Sequence, residues 1–425
     1  MDLAWISLAA LLLVIIFSCT TTVNPGIVAI AFAWVIGVYI APHWEKEIGV
    51  KGVVAGFPRD LFLTLVGVTS LFTLAQVNGT LDRVARVAVA SCRGNVGLIP
   101  VAFFGLTLTL ASIGAGNIAA AALVGPMALA VAQRAGISAF LMIIMVAHGA
   151  VAGALSPFAP SGIIASRLMD KMGLGGHEWQ TYGNNLMTNT VVAFAGYFAF
   201  GGWRLFGRRF TGAERTENSD PPQTAQSCSG RHWVTLAVIA ALIVAVIGLG
   251  VDVGMGAFAA AALLVLFRVA DEQEAIRTMP WGVILMVCGV TVLTSLLETT
   301  GGLDLFTTIL ARFSNQRSVT GVIAFVTGLI SVYSSTSGVV LPAFLPSVPG
   351  LVEKLGGGDP LAIASSINIG GHLVDVSPLS TIGALCIASA AASQDRRRLF
   401  NRVLAWGLSM SVVGAAWCYV WFGLL

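Results

Sequence analysis

The sequence predicts an all-α polytopic membrane protein with two repeats of inverted topology, each holding a re-entrant helical hairpin and an interrupted helix. Three observations favour this class. Apolar residues form 56% of the 425-residue chain and charged residues only 10%, whereas soluble proteins carry about 25% charge. Segments such as 236–250 are apolar on every side, which indicates helices in lipid and not the alternating strands of a barrel. Finally, the two halves match each other at a nearly constant offset.

Ten apolar segments are long enough to be membrane helices. In the first half they are 4–21, 26–42, 57–78, 138–170 and 183–206, and in the second half 232–250, 253–268, 279–300, 359–391 and 400–424. Gly and Ser break two further apolar stretches, 97–135 and 318–353, so each predicts two half-helices that fold back. The polar segment 211–231, with its Pro-Pro pair, predicts a linker between a first repeat at 1–210 and a second at 232–425.

The internal repeat rests on three blocks of matching residues. A shift of 222 residues superposes Gly67–Asp82 on Gly289–Asp304. A shift of 223 superposes Gly105, Ser112 and Pro126 on Gly328, Ser335 and Pro349. A shift of 221 superposes Ser156, Pro157 and Gly162 on Ser377, Pro378 and Gly383. If each half crosses the membrane five times, the halves face opposite sides. A cytoplasmic linker then places 15 of the 23 Lys and Arg residues inside, which the positive-inside rule favours, with both termini outside. An even number of crossings per half, giving parallel repeats, is the alternative.

The first pair of helix breaks is Ser112–Asn117 and Ser331–Gly338, both rich in small and hydroxyl residues. Backbone groups freed at a break in lipid are tolerated where they line a cavity. The N-termini of half-helices then present N–H groups to an anion, and hydroxyl or amide side chains add donors without a buried charge. Close helix packing by small residues is the alternative interpretation.

The second pair of breaks lies within the long segments 138–170 and 359–391. Ser156 and Pro157 mark the first, while Ser377, Pro378 and Thr381 mark the second. Proline removes a donor and disrupts the preceding turn, so each segment is expected to unwind there. A structural kink without a ligand is the alternative.

A few polar residues fall within the apolar segments. Asp375 is the candidate proton or cation ligand, because charge inside a membrane is costly and usually functional, although a structural carboxylate near His372 is the alternative. His148 and His372 either titrate or cap backbone carbonyls, and we favour capping. Asn184 and Asn185, at the start of 183–206, are expected to lie at the interface.

The sequence shows no catalytic constellation, phosphate loop or metal-spaced cluster, so it predicts neither an enzyme nor a bound cofactor. The small net charge of +3 does not indicate nucleic-acid binding.

Parts of the chain resemble the bacterial malonate carrier family. The similar blocks are Gly56–Thr69, Ala75–Thr80 and Arg93–Pro100, together with His372–Cys386 near the C-terminus. More distantly, the architecture is similar to the divalent anion–sodium symporters of the ion transporter superfamily, whose hairpin tips carry Ser-Asn-Thr preceded four residues earlier by Ser or Thr. The first tip keeps Ser112 and Asn117 of this pattern, and the second has Ser331 followed by Ser335-Thr336-Ser337.

The resemblance implies a secondary carrier for malonate or a C4-dicarboxylate, with an elevator mechanism, a homodimer and a place in the bacterial inner membrane. Combined with the breaks, it gives as substrate-binding candidates Ser112, Gly116, Asn117, Ser156, Pro157, Ser335, Thr336, Ser337, Ser377, Pro378 and Thr381. The candidate sodium ligands are Ser112, Asn117, Ser331, Ser335 and Thr336. Sodium coupling is favoured over proton coupling, and an exporter of inorganic anions such as arsenite on the same fold is the runner-up.

Overall fold

The computed structural model describes residues 2–21, 23–44, 46–81, 83, 95–208, 230–332, 334–388, 390 and 395–424, and these residues form helices and connecting turns without a β-strand. The predicted linker lies almost wholly outside these ranges. The helices of the first half are α1 (Leu3–Thr20), α2 (Pro25–Val35), α3 (Gly49–Ala55), α4 (Arg59–Val77), α5 (Leu98–Leu110), α6 (Gly116–Arg134), α7 (Ala139–Ala152), α8 (Pro160–Lys171) and α9 (Glu178–Ala199).

The described residues of the second half, from Gly230 onward, form eleven α-helices. Its helices are α10 (Gly230–Leu249), α11 (Val253–Leu266), α12 (Glu272–Thr278), α13 (Trp281–Thr300), α14 (Gly302–Arg312), α15 (Val319–Ser331), α16 (Leu341–Phe344), α17 (Val348–Lys354), α18 (Pro360–Leu373), α19 (Thr381–Ala388) and α20 (Arg396–Cys418). Within the described ranges, five stretches are long and apolar enough to cross a membrane, and the bent pair Val319–Ser331 and Thr336–Lys354 makes a sixth. The predicted class, a polytopic all-α membrane protein, is confirmed.

Both Gly/Ser-broken stretches fold back as hairpins. In the first, α5 and α6 contact each other, and both pack on α7; a continuous helix over 98–134 could not make these contacts, because its ends would lie far apart. In the second, the helix direction bends by 120° between α15 and the helical segment that begins at Thr336. We call residues 111–117 the first tip and residues 331–338 the second tip.

The two long segments are interrupted where the Ser-Pro pairs predicted. Helix α7 ends at Ala152 and α8 begins at Pro160, while α18 ends at Leu373 and α19 begins at Thr381. We call residues 153–159 the first interruption and residues 374–380 the second interruption. The backbone hydrogen bonds of the two interruptions match: Ser156 N–H donates to Gly153 O and Ser377 N–H to Val374 O, at 3.2 and 2.8 Å.

The halves contact each other through two equivalent helix crossings. Helix α4 packs on α11 and, at the repeat-related position, α13 packs on α2. A Cβ on Gly67 would lie 2.4 Å from the carbonyl oxygen of Gly254, and one on Gly289 would lie 2.1 Å from that of Gly26. Small residues allow such close backbone approach between membrane helices. Because Gly67 and Gly289 are 222 positions apart, the crossings obey the predicted offset.

Candidate functional site

A cavity of about 370 Å³ lies where the two tips, the N-terminus of α8, the second interruption and α4 meet. Its walls are formed by Thr69, Phe72, Thr73, Gln76, Leu81, Gly114, Ala115, Gly116, Asn117, Ile118, Ala119, Pro160, Ser161, Ile164, Thr278, Pro280, Val283, Ser334, Ser335, Thr336, Ser337, Asp375, Ser380, Thr381 and Ile382. Asp375 is the sole ionisable side chain among these lining residues, and none of them is basic.

Glycine backbone conformation creates the first tip. Gly114 has a φ of +122° and Gly116 a φ of +81°, and L-residues with a side chain rarely adopt either value. The ring of Phe72 lies 2.1 Å from the position that a Cβ on Gly114 would occupy, so the tip contacts α4 closely. Helix α6 then begins at Gly116, and the Asn117 side-chain oxygen accepts a hydrogen bond from Ile118 N–H at 3.0 Å.

The second tip ends in a capped helical turn. Ser335 is the N-cap residue, and its hydroxyl oxygen accepts a hydrogen bond from Gly338 N–H at 3.1 Å. Hydroxyl side chains are among the preferred N-caps because they satisfy a free backbone donor. Ser337 contacts the first half: its hydroxyl lies 2.6 Å from that of Ser161, the second residue of α8. The second tip and the N-terminus of α8 therefore meet at the cavity.

Four helix N-termini face the same cavity. Gly116 and Asn117 begin α6, Pro160 and Ser161 begin α8, Thr336 and Ser337 begin the turn that leads into α16, and Thr381 and Ile382 begin α19; each of these residues lines the cavity. The first N–H groups of a helix have no intrahelical partner and carry the positive end of its dipole. Such a convergence, with no cation among the lining residues, is typical of a site for an anion.

Several oxygen atoms lie close to the side chain of Asp375. Its Oδ1 accepts a hydrogen bond from Thr336 Oγ1 at 2.7 Å and lies 3.4 Å from Ser331 Oγ. Thr336 Oγ1 is also 3.0 Å from the carbonyl oxygen of Gly371 and contacts Ser331 Oγ. The backbone carbonyl of Asp375 accepts from Ser380 Oγ at 2.5 Å. All five residues are buried. Because α18 ends at Leu373, the Gly371 carbonyl belongs to the last turn, whose oxygens are free of intrahelical bonds.

The sequence-predicted residues divide into two groups. Gly116, Asn117, Ser335, Thr336, Ser337, Thr381 and Asp375 line the cavity, whereas Ser112, Ser156, Pro157, Ser331, Ser377 and Pro378 do not. The second group holds the breaks in place. Ser156 Oγ donates to the carbonyl of Ser112 at 2.6 Å, which ties the first interruption to the first tip. The Ser112 hydroxyl lies 2.9 Å from the hydroxyl of Tyr182 on α9.

Several lining residues were not predicted. Ser161 lies four residues after the predicted Pro157, and Ser380 directly precedes the predicted Thr381, so both belong to the breaks that the Ser-Pro pairs mark. Thr69, Thr73 and Gln76 place polar atoms on one face of α4. The hydroxyls of Thr69 and Thr73 donate to carbonyls one turn earlier in their own helix, at 2.6 and 2.5 Å. Such Thr residues are common in membrane helices without a ligand, which is why the sequence does not single them out.

Comparison with known proteins supports the resemblance. Residues 1–154 match the family model described as the dicarboxylate carrier protein MatC N-terminus. No curated protein sequence matches the chain significantly.

Two solved structures share the fold along the whole chain. MtrF of Neisseria gonorrhoeae, described with a class of antimetabolite efflux pumps, superposes with a TM-score of 0.59 at 13% identity over 97% of each chain. The YdaH transporter of Alcanivorax borkumensis superposes with a TM-score of 0.57 at 15% identity over 100% of this chain and 99% of its own. The resemblance to dicarboxylate carriers is thus confirmed over residues 1–154, and the chain is a multi-pass membrane transporter, not an enzyme.

Proposed function

We propose that this transporter is a secondary active carrier of small dicarboxylates, malonate or a C4-dicarboxylate, coupled to sodium. The observation that supports this most directly is the convergence of four helix N-termini on one cavity with no basic lining residue. Backbone N–H groups and helix dipoles can hold carboxylates at such a site. The cavity volume of about 370 Å³ lies at the lower end of the range for ligand pockets, which favours a substrate of few atoms.

The charge of the cavity requires a co-transported cation. A dicarboxylate carries two negative charges, and the cavity adds the carboxyl group of Asp375 without a lining cation to balance them. Uncompensated charge of one sign in a low-dielectric site is strongly unfavourable. Binding of the dianion is therefore expected to need sodium or a proton in the same state of the protein.

The oxygen atoms around Asp375 favour sodium as this cation. Ser331 and Thr336 supply only two hydroxyl protons to four close oxygen–oxygen contacts, which also involve Gly371 O and Asp375 Oδ1. Free carbonyls at half-helix C-termini are typical sodium ligands in secondary transporters. The hydroxyl protons of Ser331 and Thr336 are too few to reach every oxygen lone pair in this cluster. Sodium bound among these oxygens would interact with the remaining lone pairs. Proton uptake by Asp375 is the alternative that uses the same residues.

Access to the cavity is expected to alternate by movement of the hairpins and interrupted helices against the crossing helices. The hairpins and interrupted helices pack on one another, and α4 with α11 and α2 with α13 form two crossings, of which α4 and α13 also contact the tips. An exposed ion pair connects the two groups as well: Arg167 on α8 lies 2.8 Å from Asp252 at the N-terminus of α11. Exposed pairs contribute about 0–1 kcal/mol, so this one allows relative movement. By resemblance we place the carrier, as a homodimer, in a bacterial inner membrane.

Uptake into liposomes tests this proposal. Purified protein is reconstituted, and labelled malonate, succinate and tartrate are supplied under either an inward sodium gradient at equal pH or a pH gradient without sodium. We expect accumulation of a dicarboxylate with the sodium gradient alone. Asp375→Asn is expected to abolish accumulation, whereas Asp252→Asn, the same change on the surface with a residue that still caps α11, should leave it unchanged within about twofold.

Each other result has a definite meaning. Accumulation that follows the pH gradient, is indifferent to sodium and is lost in Asp375→Asn establishes the proton-coupled alternative. Transport of arsenite or another inorganic anion in place of any dicarboxylate would show that the proposed substrate class is wrong.

A further inference from the structure

A chain of buried hydrogen bonds runs from α20 through α7 to α9 and returns to the end of α7. Trp406 Nε1–H donates to His148 Nε2 at 3.0 Å, and His148 Nδ1 lies 3.0 Å from Asn189 Oδ1. Asn189 Nδ2 donates to Asn185 Oδ1 at 3.0 Å, and Asn185 Nδ2 donates to Val151 O at 2.8 Å and to Ala152 O at 3.3 Å. His148, Asn185 and Asn189 are fully buried.

The chemistry of Trp406 fixes the direction of the whole chain. An indole N–H can only donate, so His148 Nε2 must be the acceptor and Nδ1 must carry the proton. Nδ1–H then donates to Asn189 Oδ1, and the amide groups of Asn189 and Asn185 pass the same polarity on to the carbonyls. If Nε2 of His148 were protonated, its N–H would point at the N–H of Trp406, and no hydrogen bond could form. The ring is therefore held neutral, with its proton on Nδ1.

The chain ends on carbonyls at the C-terminus of α7, directly before the first interruption. Val151 and Ala152 lie in the last turn of α7, where carbonyl oxygens lack donors from within the helix. Val151 O accepts from Ala154 N–H at 3.0 Å, and Asn185 Nδ2 donates to the carbonyls of both residues. Ser156 follows four residues later and donates to the Ser112 carbonyl at the first tip. The chain thus secures one side of the break on which the cavity is built.

Two expectations from the sequence were wrong in this region. Asn185 was expected at the interface but is buried, because α9 begins at Glu178 and places Asn185 two turns into the helix. His148 was expected to cap a backbone carbonyl but contacts two side chains instead. His372 does cap a carbonyl, since its Nδ1 lies 2.9 Å from Asn368 O.

In the second half, the corresponding helix contacts the second interruption without a polar side chain. Gly407 is the position 222 residues after Asn185, and there α20 lies directly against the second interruption: a Cβ on Gly407 would be 2.7 Å from Ser377 Cβ. At the equivalent position the first half has the side chain of Asn185. Because this side chain is buried, both its amide nitrogen and its oxygen need hydrogen-bond partners. Trp406, the residue before Gly407, supplies the donor that begins this chain.

We propose that Trp406, His148 and Asn189 are positioning residues that fix Asn185 on the C-terminus of α7, directly before the first interruption, and so keep the transport site assembled. His148 accordingly is not a carrier of the coupling proton. This inference rests on the proposed transport function for its kinetic consequences. The tautomer of His148 is independent of the substrate.

Two experiments with separate readouts test it. In ¹⁵N-histidine-labelled protein, we expect His148 to show a protonated Nδ1 and an unprotonated Nε2, assigned by its loss in His148→Gln. In uptake assays, Trp406→Phe should lower the transport rate or raise the half-saturating substrate concentration by about tenfold, the size expected for a lost buried hydrogen bond. Trp417→Phe is the matched control, since Trp417 Nε1 on the same helix finds no hydrogen-bond partner among the residues that the structure describes.

A replacement at His148 separates polarity from packing. His148→Gln keeps one acceptor and one donor and should retain more transport than His148→Leu, which keeps neither. An Nε2-protonated ring in the native protein, or Trp406→Phe kinetics equal to those of Trp417→Phe, would overturn the inference. Failure of the transport proposal itself is distinct: it appears as a lack of uptake by the native protein, while the tautomer can still be measured.

Discussion

The hydroxyl of Thr336 lies within hydrogen-bond distance of three oxygens and has one proton to give. Those oxygens belong to Ser331, Gly371 and Asp375. In the sodium-bound state that we propose, the metal supplies the positive charge that this arrangement lacks, and Thr336 Oγ1 is one of its ligands. Removal of the Thr336 hydroxyl should therefore weaken cation binding more than substrate binding.

Thr336→Val removes the hydroxyl with little change of shape. We expect the sodium concentration for half-maximal uptake to rise by at least about tenfold, since a buried polar contact to a charged group is lost, while Thr336→Ser should restore most of the affinity. Thr327→Val is the control, because Thr327 is equally buried and bonds only carbonyls of its own helix. An unchanged sodium dependence in Thr336→Val would remove this residue from the coupling site.

Sequence reasoning located part of this site and missed part of it for a physical reason. Ser335, Thr336 and Ser337 interrupt an apolar stretch with three adjacent hydroxyls, a pattern that a packed helix does not need. Thr69 and Thr73 lie singly in an apolar helix and bond their own backbone, as structural Thr residues do. Only the packing of α4 against the first tip turns these two toward the cavity.

At the scale of elements, the first tip depends on two glycines with left-handed backbone conformation. Helix positions before and after them have strong apolar character, so the chain would continue as one helix if the tip could adopt helical angles. The Phe72 ring occupies the space beside Gly114. Both the backbone angle and the neighbouring ring therefore oppose any side chain at this position.

Gly114→Ala is expected to destabilise the protein by about 1–3 kcal/mol, from backbone strain and from the clash with Phe72, and to abolish uptake. Gly105→Ala is the matched control in the same hairpin: it is helical, and nothing lies within 4 Å of the added methyl group, so it should be neutral or slightly stabilising. Thermal unfolding of the two variants in detergent gives the comparison. Equal melting temperatures would show that neither the Gly114 backbone angle nor the Phe72 ring restricts the tip.

Element boundaries followed the sequence where proline or an N-cap residue defines them. Helices α4 and α13 begin just after Pro58 and Pro280, and α11 begins after Asp252, whose side chain accepts from Met255 N–H at 3.0 Å. The short helices α3 and α12 were not predicted, because seven residues are too few to show a helical period. The start of α9 was misplaced by five residues since its first turns are polar and the segment was defined by hydropathy.

At the scale of the molecule, contacts of the first half have counterparts in the second. Gly67 meets Gly254 as Gly289 meets Gly26, and each hairpin packs on the interrupted helix of its own half. Inverted repeats, related by an axis in the membrane plane, and parallel repeats, related by an axis along the membrane normal, both predict such contacts. The distribution of basic residues distinguishes the two and favours the inverted arrangement.

Reporter fusions at three positions decide between the arrangements. With five crossings in each half, the linker lies in the cytoplasm and both termini lie outside. Alkaline phosphatase, which is active only outside the cytoplasm, should then be active when fused at residue 2 or residue 425 and inactive when inserted at residue 220. Green fluorescent protein should show the opposite pattern.

With an even number of crossings, all three positions share one side, so a linker and a C-terminus with the same reporter response would establish parallel repeats. Opposite orientation matters for the transport proposal, because only an axis in the membrane plane makes the outward-facing and inward-facing routes to the cavity equivalent in structure.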